Sequence, residues 1–220
     1  MSAPEVEIKK MWRIIDTNKN SVHELRAFHH EDRSQVKRVL FRSSDFVSTD
    51  DMRAAFNKRA LELNEQGYNI YITLNPINED FNGKSACDTD IAYRDLLLID
   101  IDRTGSTKNP ATDEEVENAK GLAGEVVRYL SELDWSEPIQ VMSGNGWHLY
   151  YILDGLENTE DSRDLVQLTL NNLAKEFNNN QVSIDTTVYN ASRITKVPGT
   201  VARKGSETAD RLYRMAVVHE

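Results

Sequence analysis

The sequence has few of the features that mark secreted, membrane-bound or zinc-stabilised proteins. It contains one cysteine, Cys87, so no internal disulfide and no cysteine cluster for zinc can form. No apolar run approaches the length of a membrane-spanning helix, and the start, Met-Ser-Ala-Pro-Glu, does not resemble a signal peptide. Internal repeats and low-complexity segments are also absent from the sequence. We therefore expect a globular protein of the reducing cytoplasm, without a membrane partner.

Net charge is the next constraint. The 220 residues, of which 39% are hydrophobic, can form one large domain or two small ones. A formal charge of −10 argues at first sight against nucleic acid, whose phosphates attract Lys and Arg. The charge is segregated, however: residues 112–137 carry eight acids, whereas residues 26–59 carry eight Lys or Arg and residues 193–214 carry six. A locally basic face is compatible with this pattern, and so is dispersed surface charge.

Hydrophobic periodicity and turn residues predict an α+β chain. Helices are predicted at residues 5–16, between Thr49 and Gly67, after the capping box at 112–115, and at 160–178. Strands are predicted at residues 22–28, 68–74, 96–102, 138–142, 147–153, 182–185, 193–197 and 212–218. From residue 96 onward the order is strand, helix, strand, strand, helix, strand. This is the βαββαβ plan of RRM-like and ferredoxin-like folds.

The N-terminal part is harder to assign. Residues 31–47 show no clear pattern, and residues 1–67 are expected to form an αβ accessory part that extends the sheet or makes a separate lobe. With the core at 68–220 this gives a single domain, which we expect to be a fragment of a longer protein. The buried helix faces are predicted to include Leu133 on the third helix and Leu165, Leu168, Leu173 and Phe177 on the fourth.

The most informative strand ends in two acids, Asp100 and Asp102. Side chains two apart on a strand share a face, so both carboxylates project from the same side, which they share with Leu98. Two carboxylates held this close repel each other. They are tolerated if a divalent cation lies between them, if one binds a proton, or if water screens both.

A second stretch, residues 143–148, reads Ser-Gly-Asn-Gly-Trp-His. Glycines let a ligand approach the backbone closely, and exposed N–H groups in such a turn can hold an anion. Ser143 adds a hydroxyl and His148 a donor, so the segment suits a phosphate. A plain hairpin turn followed by a packed histidine has the same pattern. This turn lacks the Gly-Lys-Ser/Thr ending of a nucleotide P-loop.

Two further stretches lie downstream. Asp185 follows an apolar pair, and residues 192–200 read Ser-Arg-Ile-Thr-Lys-Val-Pro-Gly-Thr. Arg193 and Lys196 lie before the Pro-Gly turn, and Arg203 and Lys204 lie beyond it. Each alone is compatible with a turn acid or a solvated basic face.

Together, the four stretches resemble the motifs of the archaeo-eukaryotic primase superfamily, the primase-polymerases. Its members carry, in this order, an acid-x-acid strand, a Ser-Gly-x-Gly-aromatic-His turn and a third acid. Many plasmid, phage and mobile-element members add a Ser-Arg segment that ends in Pro-Gly-Thr, and members of this pattern also occur beside CRISPR adaptation genes. Residues 71–76, Tyr-Ile-Thr-Leu-Asn-Pro, resemble the strand before the first motif. The resemblance covers roughly residues 68–205 and implies an RRM-like catalytic core.

The resemblance also implies roles for particular residues. Asp100, Asp102 and Asp185 would bind two Mg²⁺ or Mn²⁺ ions, which suit hard oxygen ligands. The nucleoside triphosphate would be bound by Ser143, Gly144, Asn145, Gly146, His148, Arg193, Lys196 and Asn75, and Tyr71 is a further candidate. The implied activity is DNA primase or DNA polymerase synthesis by nucleotidyl transfer, in replication or CRISPR adaptation. Its implied partners are template and primer DNA, dNTPs or NTPs, and a helicase or CRISPR adaptation proteins.

Proteins with other functions use some of the same residue types. A metal-dependent nuclease would use the same acids but has less need of a triphosphate-binding turn. A rolling-circle endonuclease usually needs two histidines one residue apart, whereas His148 stands alone and His29 and His30 are adjacent. An RNA-recognition module needs exposed aromatic residues at mid-strand, where this chain has Ile99. A nucleotide-binding module without catalysis remains an alternative.

Overall fold

A computed structural model describes residues 2–15, 22–106 and 108–219, which form two main β-sheets with helices packed against them. The helices are α1 (Ala3–Ile15), α2 (Thr49–Glu65), α3 (Asp113–Glu132) and α4 (Glu160–Phe177). The strands are β1 (Val22–His29), β2 (Val36–Arg42), β3 (Tyr68–Thr73), β4 (Tyr93–Arg103), β5 (Ile139–Met142), β6 (Trp147–Glu157), β7 (Val182–Ile184), β8 (Ile194–Lys196), β9 (Val201–Ala202), β10 (Arg214–Met215) and β11 (Val217–His219).

The larger sheet confirms the predicted α+β, βαββαβ plan. Its strand order is β11-β5-β6-β4-β7, and β4 pairs antiparallel with both β6 and β7. The four strands of the motif therefore lie in the order of a ferredoxin-like sheet, and β11 extends the β5 edge. Helices α3 and α4 pack against this sheet and against each other.

The smaller sheet joins the N-terminal part to the core. Its order is β2-β1-β3-β8, so strands from residues 22–42 pair with β3 and, through it, with β8. The strands of residues 22–42 thus lie in a second sheet with β3 and β8, separate from the sheet that carries the acids. Strand β2 lies within residues 31–47, which gave no prediction, because its Lys and Arg residues hide the alternation of an edge strand.

Local sequence signals set the helix ends. Thr112 caps α3, accepts from the Glu115 amide at 3.2 Å and completes the predicted capping box with the Glu115 side chain. Ser48 and Thr159 cap α2 and α4 in the same way. These caps end the preceding loops and fix which residues of each helix face its sheet.

Three predicted core leucines are in fact exposed. Leu133 follows the end of α3 and is 54% exposed, while Leu165 and Leu168 are 56% and 58% exposed. The buried stripe of α4 instead has the i, i+4, i+7, i+8 spacing of Val166, Leu170, Leu173 and Ala174. The predicted set combined residues from two overlapping helical stripes, of which one faces the sheet.

The core is continuous between the two sheets. Buried residues from α1, α2 and the smaller sheet pack in one cluster with those from β4, β6, α3 and α4. The Glu7 carboxylate of α1 accepts a 2.8 Å hydrogen bond from the Val218 amide of β11, which ties the two ends of the described chain together. In the described ranges, no helix has both the length and the apolar content needed to cross a bilayer.

Candidate active site

A cleft of about 570 Å³ lies between the two sheets. Phe28, Asn69 and Tyr71 line it from the smaller sheet, and Leu98, Asp100 and Asp102 line it from β4. Predicted residues that line it are Asp100, Asp102, Ser143, Asn145, His148, Arg193 and Lys196. The sequence motifs therefore converge on one cavity, although they come from different sheets.

The acid pair lies at the end of β4. Asp100 faces His148 on β6, and Asp102 faces Ser183 on β7. Both carboxylates line the cleft together with Leu98, as the strand period predicts. Ile99 and Ile101, which point the other way, are fully buried. The apolar side of the strand thus holds the acids at the cleft floor.

The two acids have different protonation behaviour. Burial opposes the ionisation of Asp100, but attraction to His148 and the hydrogen bond from it lower the pKa of Asp100 overall. Burial, followed by repulsion from Asp100, raises the pKa of Asp102 to about 6. The pair therefore favours one firmly ionised carboxylate beside one that binds a proton readily.

His148 connects Asp100 to the smaller sheet. Its Nε2 lies 3.3 Å from Asp100 Oδ1, and its Nδ1 lies 3.0 Å from the Tyr150 hydroxyl. That hydroxyl lies 2.6 Å from Oγ1 of Thr195 on β8. Both ring nitrogens thus meet protein groups, an arrangement that the sequence pattern did not indicate.

The turn at residues 143–146 packs against the acids. The Gly146 amide donates to Ser143 Oγ at 3.2 Å, and a side chain at Gly146 would overlap the Asp102 carboxylate and the Ile101 carbonyl. Gly144 has φ +102°, a conformation that favours glycine. Its amide donates to Met142 Sδ at 3.0 Å. Two of the amides expected to hold an anion are therefore used inside the protein.

Asn145 and Asn75 have structural contacts. Asn145 lines the cleft, and its side-chain oxygen accepts from the Ala111 amide at 2.9 Å just before α3. Asn75 is 1% exposed and does not line the cleft. Its amide nitrogen donates to the Ala191 carbonyl, and its oxygen accepts from the Asp95 and Leu96 amides. Asn75 therefore supports β4 from outside the cleft, and its predicted contact with nucleotide stays a prediction.

Asp185 lies next to the acid pair through its backbone, but its carboxylate is turned away. Its amide donates to the Asp100 carbonyl at 2.8 Å. One carboxylate oxygen accepts from the Thr187 amide and hydroxyl, and the other lies 3.5 Å from the Arg193 guanidinium. A role as third metal ligand requires this side chain to rotate away from Thr187.

Lys196 is buried in the cleft wall. Its ammonium lies 5.7 Å from the centre of the Tyr71 ring and donates to the Val201 carbonyl at 3.2 Å. Burial, followed by repulsion from Arg203, lowers the pKa of Lys196 to about 7. A nearby anion would favour the charged form of this lysine.

The cleft is strongly cationic on a chain of net charge −10. Among the described residues, its Lys and Arg side chains are Arg33, Lys108, Arg193, Lys196, Arg203 and Lys204, against the carboxylates Asp100 and Asp102. One buried nitrogen of Arg203 has no hydrogen-bond partner within the described chain. This local surplus of positive charge suits a polyanion.

Several lining residues were missed by the sequence analysis. They are Phe28, His29, His30 and Arg33 near the end of β1, with Asn69, Lys108 and Gly205. The adjacent histidines followed by Arg33 were the available signal, but the resemblance began at residue 68. For Arg203 and Lys204 the sequence shows basic residues beyond the Pro-Gly turn but indicates no role for them.

Ion pairs hold the segment that carries Arg203 and Lys204. Arg211 makes two contacts of 2.8 and 2.9 Å with Glu115, and Arg214 lies 2.6 Å from Asp113. The Asn69 side chain donates to the Arg203 carbonyl and accepts from its amide, each at 2.7 Å. These contacts connect the basic segment to α3 on one side and β3 on the other.

Asp100 and Asp102 fit a divalent cation better than the predicted set of three ligands, which adds Asp185, does. Burial, followed by repulsion from Asp100, raises the pKa of Asp102, and a divalent cation beside the two carboxylates would stabilise their charged forms. In the described part of the chain, however, no three His, Cys, Asp or Glu side chains have the geometry to hold a metal ion. Asp100 and Asp102 are the predicted ligands that line the cleft together, whereas the Asp185 carboxylate contacts Thr187 and Arg193.

The raised pKa of Asp102 predicts a specific pH dependence of stability without metal. Between about pH 4 and pH 6 the folded protein binds a proton at Asp102 that the unfolded chain has released, so the free energy of unfolding falls as pH rises. The difference between 3.8 and about 6 corresponds to at most about 3 kcal/mol.

Chemical denaturation of the wild type and Asp102→Asn, with a chelator present, measures this contribution. The stability gained by Asp102→Asn over wild type should grow through the window and level off above it. A constant difference across these pH values would contradict the assignment.

Comparisons with known proteins support the fold. The structure is similar to "Polymerase Domain from Mycobacterium tuberculosis Ligase D in complex with DNA", with a TM-score of 0.53 and 13% identity over 96% of this chain and 79% of that chain. No protein-family model and no curated protein matches the sequence. At this identity the likeness concerns the fold alone, in which the larger sheet has the predicted βαββαβ order.

Proposed function

We propose that this protein catalyses template-directed nucleotidyl transfer on DNA, as a DNA polymerase or primase. The observation that carries the proposal is a buried pair of acids in a strongly cationic cleft. The supporting likeness is to a polymerase domain that was solved with DNA. The order of the four sequence motifs adds independent support.

In this proposal the cleft binds both reactants. The wall beside the incoming nucleoside triphosphate is formed by the turn and the start of β6, that is, by Ser143, Gly144, Asn145, Gly146 and His148. Arg193, just before β8, and Lys196, at its end, face the phosphates. Arg203 and Lys204 extend the cationic wall. Asn75 supports β4 from outside the cleft. Template and primer DNA enter along the positively charged opening.

The reaction joins a primer 3′-oxygen to the α-phosphorus and releases pyrophosphate. Negative charge builds on the phosphate oxygens and on the leaving group, and the fixed cations of the cleft wall stabilise it. Asp100 and Asp102, with Asp185 after rotation, would hold Mg²⁺ or Mn²⁺. Such ions stabilise the attacking and leaving oxygens when bound.

Primer extension on a short DNA template tests the proposal. The assay contains wild-type protein, Mn²⁺ or Mg²⁺, and labelled dNTPs or NTPs in separate lanes, with a primer-free lane beside them. Changing one template base should change the nucleotide that is added, which distinguishes copying from untemplated addition. Product in the primer-free lane would show that the protein also starts new strands, as a primase does. Metal-dependent shortening of the primer without extension would instead support the nuclease alternative.

Lys196→Met should raise the KM for nucleotide roughly 10-fold and change kcat less. Methionine keeps the apolar stem over Tyr71 but removes the charge, and a hydrogen bond to a charged group contributes about 1.5–3 kcal/mol. Steady-state extension at several nucleotide concentrations measures the effect, with the exposed Lys175→Met on α4 as control. Equal KM values in both variants would remove Lys196 from the nucleotide site.

A further inference from the structure

The link between His148 and the smaller sheet is buried and has a direction. His148, Tyr150 and Thr195 are 6%, 2% and 3% exposed, so water does not compete freely for their hydrogen bonds. The contacts run from Asp100 Oδ1 to His148 at 3.3 Å, from His148 to Tyr150 at 3.0 Å, and from Tyr150 to Thr195 at 2.6 Å. Each hydroxyl has one hydrogen to donate.

One assignment of the hydrogens lets every donor find an acceptor. The Thr195 hydroxyl donates to the Tyr150 oxygen, the Tyr150 hydroxyl donates to His148 Nδ1, and Nε2–H donates to Asp100. Within the described chain, Tyr150 and His148 are the polar side chains that Thr195 Oγ1 meets.

The reverse direction fails at both ends. If Nδ1–H donated to Tyr150, the tyrosine would donate to Thr195, and the buried Thr195 hydrogen would lack an acceptor among these groups. A neutral ring would then also present the lone pair of Nε2 to an Asp100 oxygen. Of the two neutral tautomers, the geometry therefore selects the one with its proton on Nε2.

We propose that Tyr150 and Thr195 are positioning residues that hold His148 in the tautomer with the proton on Nε2, so that His148 donates to Asp100 and fixes that carboxylate in the cleft. Because Thr195 belongs to β8 and Asp100 to β4, the orientation of the acid depends on the alignment of the two sheets. Groups that orient a metal-binding carboxylate affect metal affinity without touching the metal. This consequence for metal binding rests on the proposed function.

The chain offers a matched control. Tyr151 is also buried, at 1% exposure, and its hydroxyl has no partner within the described residues. Tyr150→Phe and Tyr151→Phe therefore remove the same atom from adjacent positions of β6, and the first change alone breaks the link. On β8, Thr195→Val removes the hydroxyl at constant shape, and Thr195→Ser restores it.

The primary measurement is the histidine ring spectrum of the isotope-labelled, metal-free protein near neutral pH. The five histidines require assignment of His148 with a His148→Gln variant. We expect the proton on Nε2 in wild type, Tyr151→Phe and Thr195→Ser, and a mixture of tautomers in Tyr150→Phe and Thr195→Val. The inference would be overturned if the wild-type proton were on Nδ1, or if Tyr150→Phe left the tautomer of His148 unchanged.

The second measurement is Mn²⁺ affinity by calorimetry, together with kcat for primer extension. Tyr150→Phe should lower both by about 10–100-fold, with a smaller change in the KM for nucleotide, while Tyr151→Phe matches wild type. Equal Mn²⁺ affinity in the two tyrosine variants would overturn the role in fixing the carboxylate. If wild type binds no Mn²⁺ but the tautomer follows Tyr150, the metal proposal fails and the positioning of His148 stands.

Discussion

Asp102→Asn should reduce primer extension at least about 1,000-fold and leave the folded protein intact. A metal ion at reacting phosphates contributes several kcal/mol, and each 1.4 kcal/mol is a factor of ten in rate. Asparagine keeps the size of the side chain but removes the charge. Asp100→Asn should cause a similar loss of extension, because both carboxylates face the same part of the cleft.

The stability of the two variants should differ. Burial, followed by repulsion from Asp100, raises the pKa of Asp102; Asp102→Asn removes both costs, so its metal-free form should be at least as stable as wild type. Asp100→Asn replaces the carboxylate that accepts from His148 and should gain less. Thermal melting with and without Mn²⁺ measures both effects, since a cation held by the pair should raise the melting temperature of wild type alone.

The control is Asp80→Asn, which changes an exposed acid outside the cleft. It should match wild type in extension rate, in melting temperature and in its response to Mn²⁺. Extension by Asp102→Asn at the wild-type rate would remove the basis for placing metal at the acid pair. Loss of extension in Asp80→Asn as well would show that the assay responds to changes in general charge.

The parts of the fold that sequence predicts well are those set by local rules. Thr112 with Glu115 marks the start of α3, and the period-2 pattern of β4 places Asp100 and Asp102 on one face. Both features depend on interactions within a few residues, so they do not depend on how the rest of the chain packs. The βαββαβ order follows from such local segments in sequence, and the structure confirms it.

Contacts between residues far apart in the sequence could not be predicted from the sequence patterns. His148 was assigned to a phosphate because of the glycine turn before it, but its neighbours Tyr150 and Thr195 come together through pairing in two different sheets. Asn75 likewise follows a strand, and nothing in its local sequence shows that β4 would use its side chain. A residue's partners depend on tertiary register, which no spacing rule encodes.

The cleft wall contributed by the smaller sheet shows the same limit. Phe28, His29 and Arg33 lie far in sequence from the acids, in a part of the chain that matched no motif. Edge strand β2 carries charged residues that hide its alternation, so the sheet that holds this wall was not predicted as a whole.

Gly146→Ala is the second substitution for which we expect a large effect. A methyl group at this position would overlap the Asp102 carboxylate and the Ile101 carbonyl, so the turn or the acid must move. Displacing a reacting group by about 1 Å can cost about 100-fold in rate, and we expect a loss of that size in primer extension. Forcing extra volume into a packed site should also lower the free energy of unfolding by about 1–3 kcal/mol.

Gly124→Ala is the matched control for this prediction. Gly124 lies on the exposed side of α3, where an added methyl meets no other atom, and alanine in a helix is about 0.5–1 kcal/mol more favourable than glycine. It should therefore stabilise the protein at unchanged extension rate. Denaturant unfolding and extension assays on both variants separate the explanations: if Gly146→Ala loses stability yet extends primers normally, the turn supports the fold without positioning Asp102 for the reaction.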